Sequence, residues 1–498
     1  MMIILLIITA VVIITMIAQF YWSKRHIYRA VANMEGPKGL PIIGNALEFF
    51  CATEDIHDRL KIIFANVRQN PMRIWLGTHL LIALKNPVHL EKIMSSQKFS
   101  YKHELYKFLE SLSGDGLVAA SGLNPKYRVH RRIIQPMIDI KFVKSVLHIL
   151  NEQSQNCMTK MEKFIDGDNF DVVKVIGPCS VVIMCEILLG RKLDMESANH
   201  KHICHSIPRL LHIGITRMLK IWLHPDFIYN WHPLKKEQDK TLETLHKFIN
   251  EAIIDSYNRR KMKETEKQFV PVIDSMTEFV DNYPDMLNAE DLRIQLLTLL
   301  SASEDTFSII TSFSIICFGM YPEYQTKAAE EIQKLIGEES RDITLEDIYG
   351  LVYLDMCVKD IMRLFPIAPV ILRKNFEDYH LDKWIIPEGA AIAIPIYFLH
   401  RDPMYWANPE HFHPDHFLPE FVQKRHPYTY LPFSAGPRGC IAKTMANIQI
   451  KLFLVKFLQL YEVEANGKVP DLKLRTDISV RPKNGYNCKI KRRLWKSK

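Results

Sequence analysis

Residues Ala289 to Tyr321 form one long run that contains no proline and is closed by Pro322. Asn288 stands where an N-cap belongs, and Glu290 and Asp291 fall in the first turn, where a helix favours acids. About 30 residues make a helix of ~45–50 Å. It is apolar on most faces, so it belongs in the middle of a protein. At its centre, however, lies Ser301-Ala302-Ser303-Glu304-Asp305-Thr306. Acids are rarely buried without a partner or a purpose. The bland alternative is a pair of capped or solvated acids on an exposed stripe.

The other constraining stretch is Phe433-Ser434-Ala435-Gly436-Pro437-Arg438-Gly439-Cys440-Ile441-Ala442, a loop punctuated by Gly and Pro. Directly after it, Lys443 to Leu454 has helical spacing, so Cys440 sits at or just before a helix N-terminus. There the dipole and the free backbone N–H groups favour the thiolate. Gly436 and Gly439 permit close backbone approach, and Arg438 adds a positive charge two residues from the sulfur. Such a thiolate suits an anionic cofactor whose metal takes one sulfur ligand. The competing reading is a buried structural cysteine.

The length of 498 residues suffices for a large core, and 48% hydrophobic with 24% charged is ordinary for a globular protein. The net charge of +8, from 64 Lys+Arg against 56 Asp+Glu, is too modest to imply nucleic acid. It fits a membrane surface or an acidic protein partner. Nine Cys without CxxC spacing argue against a disulfide framework and for a reducing compartment.

Residues 1–22 read as an uncleaved signal anchor: Met1 to Phe20 is almost unbroken apolar, followed by Tyr21 and Trp22. A cleaved signal peptide would show a basic start, a shorter apolar core and a small-residue cleavage site, and the chain has none of these. Lys24, Arg25 and His26 place the rest of the chain in the cytosol by the positive-inside rule. Residues 23–45 form a basic, proline-rich hinge around Gly36-Pro37 and Leu40-Pro41. Residues 46–498 are expected to form a single domain.

Within that body, Met72–Gly77 and Leu80–Leu84 read as two strands with a turn between, and long amphipathic helical patterns then dominate to about residue 365. Lys126 begins a helix ending near Phe142, on which Tyr127 and Arg131 share a face. The apolar run His212 to Leu223 suits lipid contact, a substrate entrance or plain core. Asp477–Val480 and Tyr486–Ile490 pattern as a hairpin about Pro482–Gly485.

Phe433-x-x-Gly436-x-Arg438-x-Cys440 matches the haem-thiolate signature of the cytochrome P-450 mono-oxygenases, with Ala442 where that signature usually ends in Gly. The chain resembles this family over nearly its whole length, in particular the eukaryotic branch of fatty-acid ω-hydroxylases and many insect enzymes. The resemblance implies a mainly α fold with a small β-rich part around one b-type haem. It makes Cys440 the iron's sulfur ligand, pushing electron density toward the metal and favouring O–O cleavage. Asp305 and Thr306 match the family's oxygen-activation motif, with Ser303 in place of a Gly, and an alcohol beside a water-linked acid forms a proton relay. Tyr127 stands for the usual Trp and, with Arg131, Arg373 and Arg438, is expected to hold the haem propionates.

Asp360 and Arg363, before Leu364-Phe365-Pro366, stand where the family has Glu-x-x-Arg, and His416 replaces the Arg that completes that triad. Ala302 and Ile478 are placed at the substrate pocket. Much of the ω-hydroxylase branch carries a Glu at the position of Ala302 that esterifies the haem, so here the haem is expected to be non-covalent. The implied partners are an NADPH-dependent flavoprotein reductase, a hydrophobic substrate and the membrane, and the implied location is the cytosolic face of the endoplasmic reticulum. An O2-independent isomerase or dehydratase and a non-catalytic haem-binding protein are the other readings. Lys102, His103 and Lys107 are candidates to anchor a substrate carboxylate, against the simpler reading of solvated charges.

Overall fold

The computed structural model describes residues 2–65, 67–120, 125–194, 198–262, 269–337 and 341–495. Among the described residues helices dominate, with four small sheets. The Met2–Ser23 helix is long and apolar enough to cross a membrane, and none of that apolar stretch is buried against the protein.

The central helix runs Ala289–Met320, with the reciprocal cap between Asn288 and Asp291 in place. From Phe307 to Met320 every residue is buried. It is enclosed by the helices Val173–Leu189, Lys443–Leu460 and Val352–Leu364, all of which share one large apolar core with it. Phe307 meets Phe453 edge-on at 5.5 Å, and Phe313 stacks on Phe365 at 3.7 Å. Aromatic pairs of this kind add about 0.5–1.5 kcal/mol beyond the area they bury.

The largest sheet orders Met72–Leu76, His79–Ala83, Ala391–Ile394 and Ile371–Lys374, with one parallel pair between the second and third. The strand Ala391-Ile392-Ala393-Ile394 is buried on both faces. Its isoleucines enter one core and its alanines another, as the period-two alternation of a strand requires.

The segment between the Met2–Ser23 helix and the globule is packed. Ile27, Val31 and Met34 are buried in the core on the isoleucine side of that strand. Tyr28 stacks on Trp75 at 4.7 Å. Arg73 Nη1 donates to the carbonyls of Val31, Ala32 and Met34 at 2.8, 2.9 and 2.6 Å.

Two sequence expectations are corrected. The helix from Lys126 ends at Ile134, and a separate helix Ile140–Ser145 starts after the cap residue Asp139. Pro136 cannot continue the first helix, having no N–H and a clashing ring. The C-terminal hairpin pairs Val480–Pro482 with Leu474–Thr476 about a tip at Asp477–Ser479, while Asn487–Arg492 joins Tyr461–Glu464 in another sheet. The run His212 to Leu223 is mostly core: Ile213, Ile215, Met218 and Leu223 are buried.

Candidate active site

The Cys440 loop is fixed by its own backbone. The Cys440 N–H donates to Phe433 O at 2.9 Å, and the Gly439 N–H to Gly436 O at 2.9 Å. Gly436 has φ +66, and a Cβ there would lie 1.8 Å from Met94 O, so only glycine fits. The following helix begins at Lys443. The Cys440 side chain is exposed, yet protein surrounds it closely enough that burial pushes its thiol up.

The Ala442 backbone N–H and the charges of Arg131 and Lys443 pull the thiol the other way without prevailing. This corrects the expectation that the helix end by itself favours the thiolate. The charge from Arg438 is also spent elsewhere: its Nη2 donates to Ala120 O at 3.0 Å and its guanidinium lies 3.9 Å over the Tyr127 ring. A bound metal cation would deprotonate the sulfur outright.

Beside this loop the structure gathers cations. Arg373 and Arg438 are buried. Arg373 Nη2 donates to Ser434 Oγ at 3.3 Å. Tyr127 Oη accepts from Arg131 Nη1 at 3.1 Å and donates to Pro437 O at 3.3 Å. Burial, together with Arg373 and Arg438, holds the Lys102 ammonium well below its usual range. Burial pushes Arg438 down to about 10. Among the described residues none of these cations has a carboxylate partner, and Arg438 Nη1 is buried without any hydrogen bond.

Buried cations left unpaired are costly. The arrangement fits an anion with several oxygens, such as the paired carboxylates of a haem. Lys102 joins this group rather than standing as a solvated charge. His103 is instead buried with Nε2 3.1 Å from Glu104, and Lys107 lies 5.0 Å over the Phe108 ring.

On the central helix Ala302 is exposed and Ser303 and Thr306 half-buried, while Ser301, Glu304 and Asp305 are buried. The helix thus opens one narrow face of small side chains. Thr306 Oγ1 donates to Ala302 O at 2.8 Å and Ser303 Oγ to Leu299 O at 2.8 Å, local bonds that occupy both hydroxyls. The two acids divide. Glu304 is raised well above the carboxylate range by burial and by Asp305, and its Oε2 has no partner. Asp305 is ion-paired with Arg481 and accepts from Ser479 Oγ at 3.2 Å. That bond brings the hairpin tip, with half-buried Ile478, against the middle of the helix.

The Asp360 group is fully satisfied. Arg363 donates through Nε to Asp360 Oδ1 at 2.6 Å and through Nη2 to Oδ2 at 3.2 Å. Its remaining N–H groups reach His400 O, Pro409 O and His411 O at 3.1, 2.5 and 2.8 Å. Asp360 also accepts from the His413 N–H at 2.7 Å and pairs with His416 Nδ1 at 2.9 Å. Burial raises its carboxyl, but Arg363 and His416 outweigh that and hold it below the usual range. The shorter acid therefore reaches its arginine directly. His416 Nε2 faces Ala407 O at 2.6 Å, so both ring nitrogens meet an oxygen.

His400 escaped sequence reasoning, because a lone histidine carries no signal. Its Nδ1 bonds Arg363 O at 3.2 Å and its Nε2 accepts from the Leu431 N–H at 2.8 Å. Burial lowers it to about 3, so it stays neutral and can do both. It ties the arginine's helix to the strand of chain that enters the cysteine loop.

A family model, Cytochrome P450, matches residues 34–490. The chain is 31% identical over 468 residues to Cytochrome P450 4V2 of Mus musculus, covering 92% of this chain and 89% of that protein. It is 30% identical over 497 residues to Cytochrome P450 4c3 of Drosophila melanogaster, covering 94% and 91%. To Cytochrome P450 4c21 of Blattella germanica it is 28% identical over 480 residues, covering 94% and 95%. With the cysteine loop, the unpaired cations and the saturated acid–arginine group already in place, these matches settle the assignment: the chain belongs to the cytochrome P450 family.

Proposed function

We propose that this mono-oxygenase inserts one oxygen atom from O2 into a hydrophobic small molecule, a lipid, hormone or xenobiotic. The electrons originate in NADPH and arrive through a flavoprotein reductase docking on the Cys440 side. The observation that carries this is the group of Lys102, Arg131, Arg373 and Arg438 beside an exposed cysteine: Arg373 and Arg438 are buried, and among the described residues none of the four has a carboxylate partner. When bound, the haem supplies the iron that takes up O2 and accepts single electrons.

The chain's residues do the rest. Cys440 gives the sulfur ligand, held by the Phe433–Cys440 backbone bond. Arg131, Arg373 and Arg438, with Tyr127 and Lys102, hold the propionates. Asp360, Arg363 and His416 fix the helix and loop beneath. Ala302 and Ile478 flank the substrate. Asp305 and Thr306 supply protons at the reacting oxygen, and this pair favours oxygenation over an O2-independent isomerase or dehydratase.

Residues 1–22 serve as the anchor and 23–45 as the hinge, with 46–498 as the catalytic unit on the cytosolic face of the endoplasmic reticulum. Lys24 and Arg25 just after the apolar run support that orientation. Purified protein, reductase and NADPH with a panel of fatty acids, sterols, terpenoids and insecticide-like aromatics test the function. Oxygenated product from at least one of them is expected. NADPH consumption no faster than the reductase alone, across the panel, supports the haem-binding alternative instead.

Thr306→Ala is expected to keep NADPH oxidation while product per NADPH falls by about a hundredfold, the low end of what a positioned proton donor contributes. Peroxide should account for the difference, and parent-like yield would remove Thr306 from the relay. Separately, acidic organic extraction should release all the haem, because Ala302 offers no carboxylate for an ester. Haem retained on the denatured chain would point to another attachment residue.

A further inference from the structure

The hairpin Leu474–Pro482 reaches the central helix through polar and charged side chains. Both oxygens of Asp305 are taken by it, one by Arg481 Nη2 and the other by Ser479 Oγ. Behind Arg481 stands a second carboxylate: Asp477 Oδ2 is 3.9 Å from Arg481 Nε, which has no hydrogen bond. Asp477 is held in turn by His212 Nδ1 at 3.1 Å and by Arg475 at 3.7 Å. One guanidinium thus lies between the buried carboxylate of Asp305 and the half-buried one of Asp477. His212 belongs to the helix Ala198–Leu219, packed by Ile213 and Ile215 into the core, and its side chain is 25% exposed.

We propose that Arg481 is a positioning residue for Asp305, and that Asp477 and His212 brace Arg481 in that position. This rests on reading Asp305 and Thr306 as the proton-delivering pair. Arg481 gives the buried Asp305 carboxylate its cationic partner. The rigid fork of an arginine also fixes its direction, which an ammonium does less well. Without Arg481 the acid loses its partner and its aim, and Thr306 is left with the Ala302 carbonyl. The two electrons from each NADPH, with O2 and two protons, then leave as hydrogen peroxide instead of as product and water. The braces link proton delivery to the helix that carries His212.

The test uses full-length haem-loaded protein with reductase, comparing product per NADPH, peroxide, the solvent deuterium isotope effect on product formation and the spectral dissociation constant of one accepted substrate. Arg481→Gln should lower product per NADPH about tenfold, the scale of one charge-assisted hydrogen bond, with substrate binding unchanged and the isotope effect altered. Arg481→Lys should recover part of the loss. Asp477→Asn and His212→Gln should act in the same direction with successively smaller effects.

Arg481→Gln with the parent's yield and isotope effect overturns the proposal. Should that variant fail to take up haem, Asp477→Asn decides: parent-like yield and isotope effect overturn it there too. Turnover is not the only readout. Asp305→Asn and Arg481→Gln should shift Tm non-additively, and additive shifts overturn the pairing even if the parent itself consumes no NADPH, an outcome that would sink the proposed function alone.

Discussion

Replacing Cys440 by His will abolish the strongly red-shifted Soret band of the reduced CO complex and turnover together. The loop that presents the residue should survive, since the bonds that shape it are backbone bonds and the one intolerant position is Gly436 against Met94. What changes is charge. Burial raises the thiol more than the Ala442 N–H, Arg131 and Lys443 lower it, so it is a metal cation that would deprotonate the sulfur. A neutral imidazole brings no negative charge to the iron and no push toward O–O cleavage. Turnover should fall on the order of a thousandfold or more, as when one member of a unit that acts together is lost. Far-UV helicity should match the parent, and a CO band of unchanged shape would overturn the assignment of Cys440.

Asp360→Ala will give chain that does not retain haem. Asp360 and Arg363 are both completely buried, and the substitution leaves a guanidinium with three carbonyls and no countercharge. Breaking one side of such a pair costs about 3–5 kcal/mol, a large part of the 5–15 kcal/mol that holds a typical fold. The His413 N–H and His416 lose their acceptor at the same time. The damage reaches the cysteine loop through His400, which spans from Arg363 O to the Leu431 N–H. Soret absorbance per mole of purified protein checks this directly, and parent-like loading would mean that the three carbonyls suffice.

The depressed carboxyl of Asp360 contributes stability that is present above the unfolded carboxyl range and is lost only as pH falls through its lower folded value. Mild acid therefore leaves it intact. His416 bridges the same carboxylate to Ala407 O through its two ring nitrogens. His416→Gln, which cannot span both acceptors, should lower haem retention, and parent-like loading would overturn the bridging role.

Features encoded within a few residues were legible in the sequence. The cysteine loop, the capped central helix, the strand pair at Met72–Ala83 and the i, i+3 pair of Asp360 and Arg363 are local patterns, and the structure has each of them. What was missed depends on distance. Arg481 meets Asp305 across 176 positions of chain, and nothing near either residue announces the other. Lys102 reads as a solvated charge until burial places it with Arg373 and Arg438. The thiol's direction was misjudged because the helix end is visible in sequence and burial is not. The hairpin was misregistered because strands of three residues take their partners from tertiary packing, with Ser479 and Asp477 drawn to Asp305 and His212. The break at Pro136 is local too, since a proline cannot continue a helix.

The packed segment after the Met2–Ser23 helix changes how the body meets its surroundings. With Ile27, Val31 and Met34 sunk in the core, Tyr28 stacked on Trp75 and three carbonyls gripped by Arg73, that segment ends as a bracket rather than a string. A string would let helix and globule turn independently. A bracket carries the direction of the helix into the body, so whatever holds the helix meets a limited set of the body's faces. The same bracket sets where a soluble version can be cut: before Ile27 the core is untouched, and beyond Met34 a seam of it lies open to water.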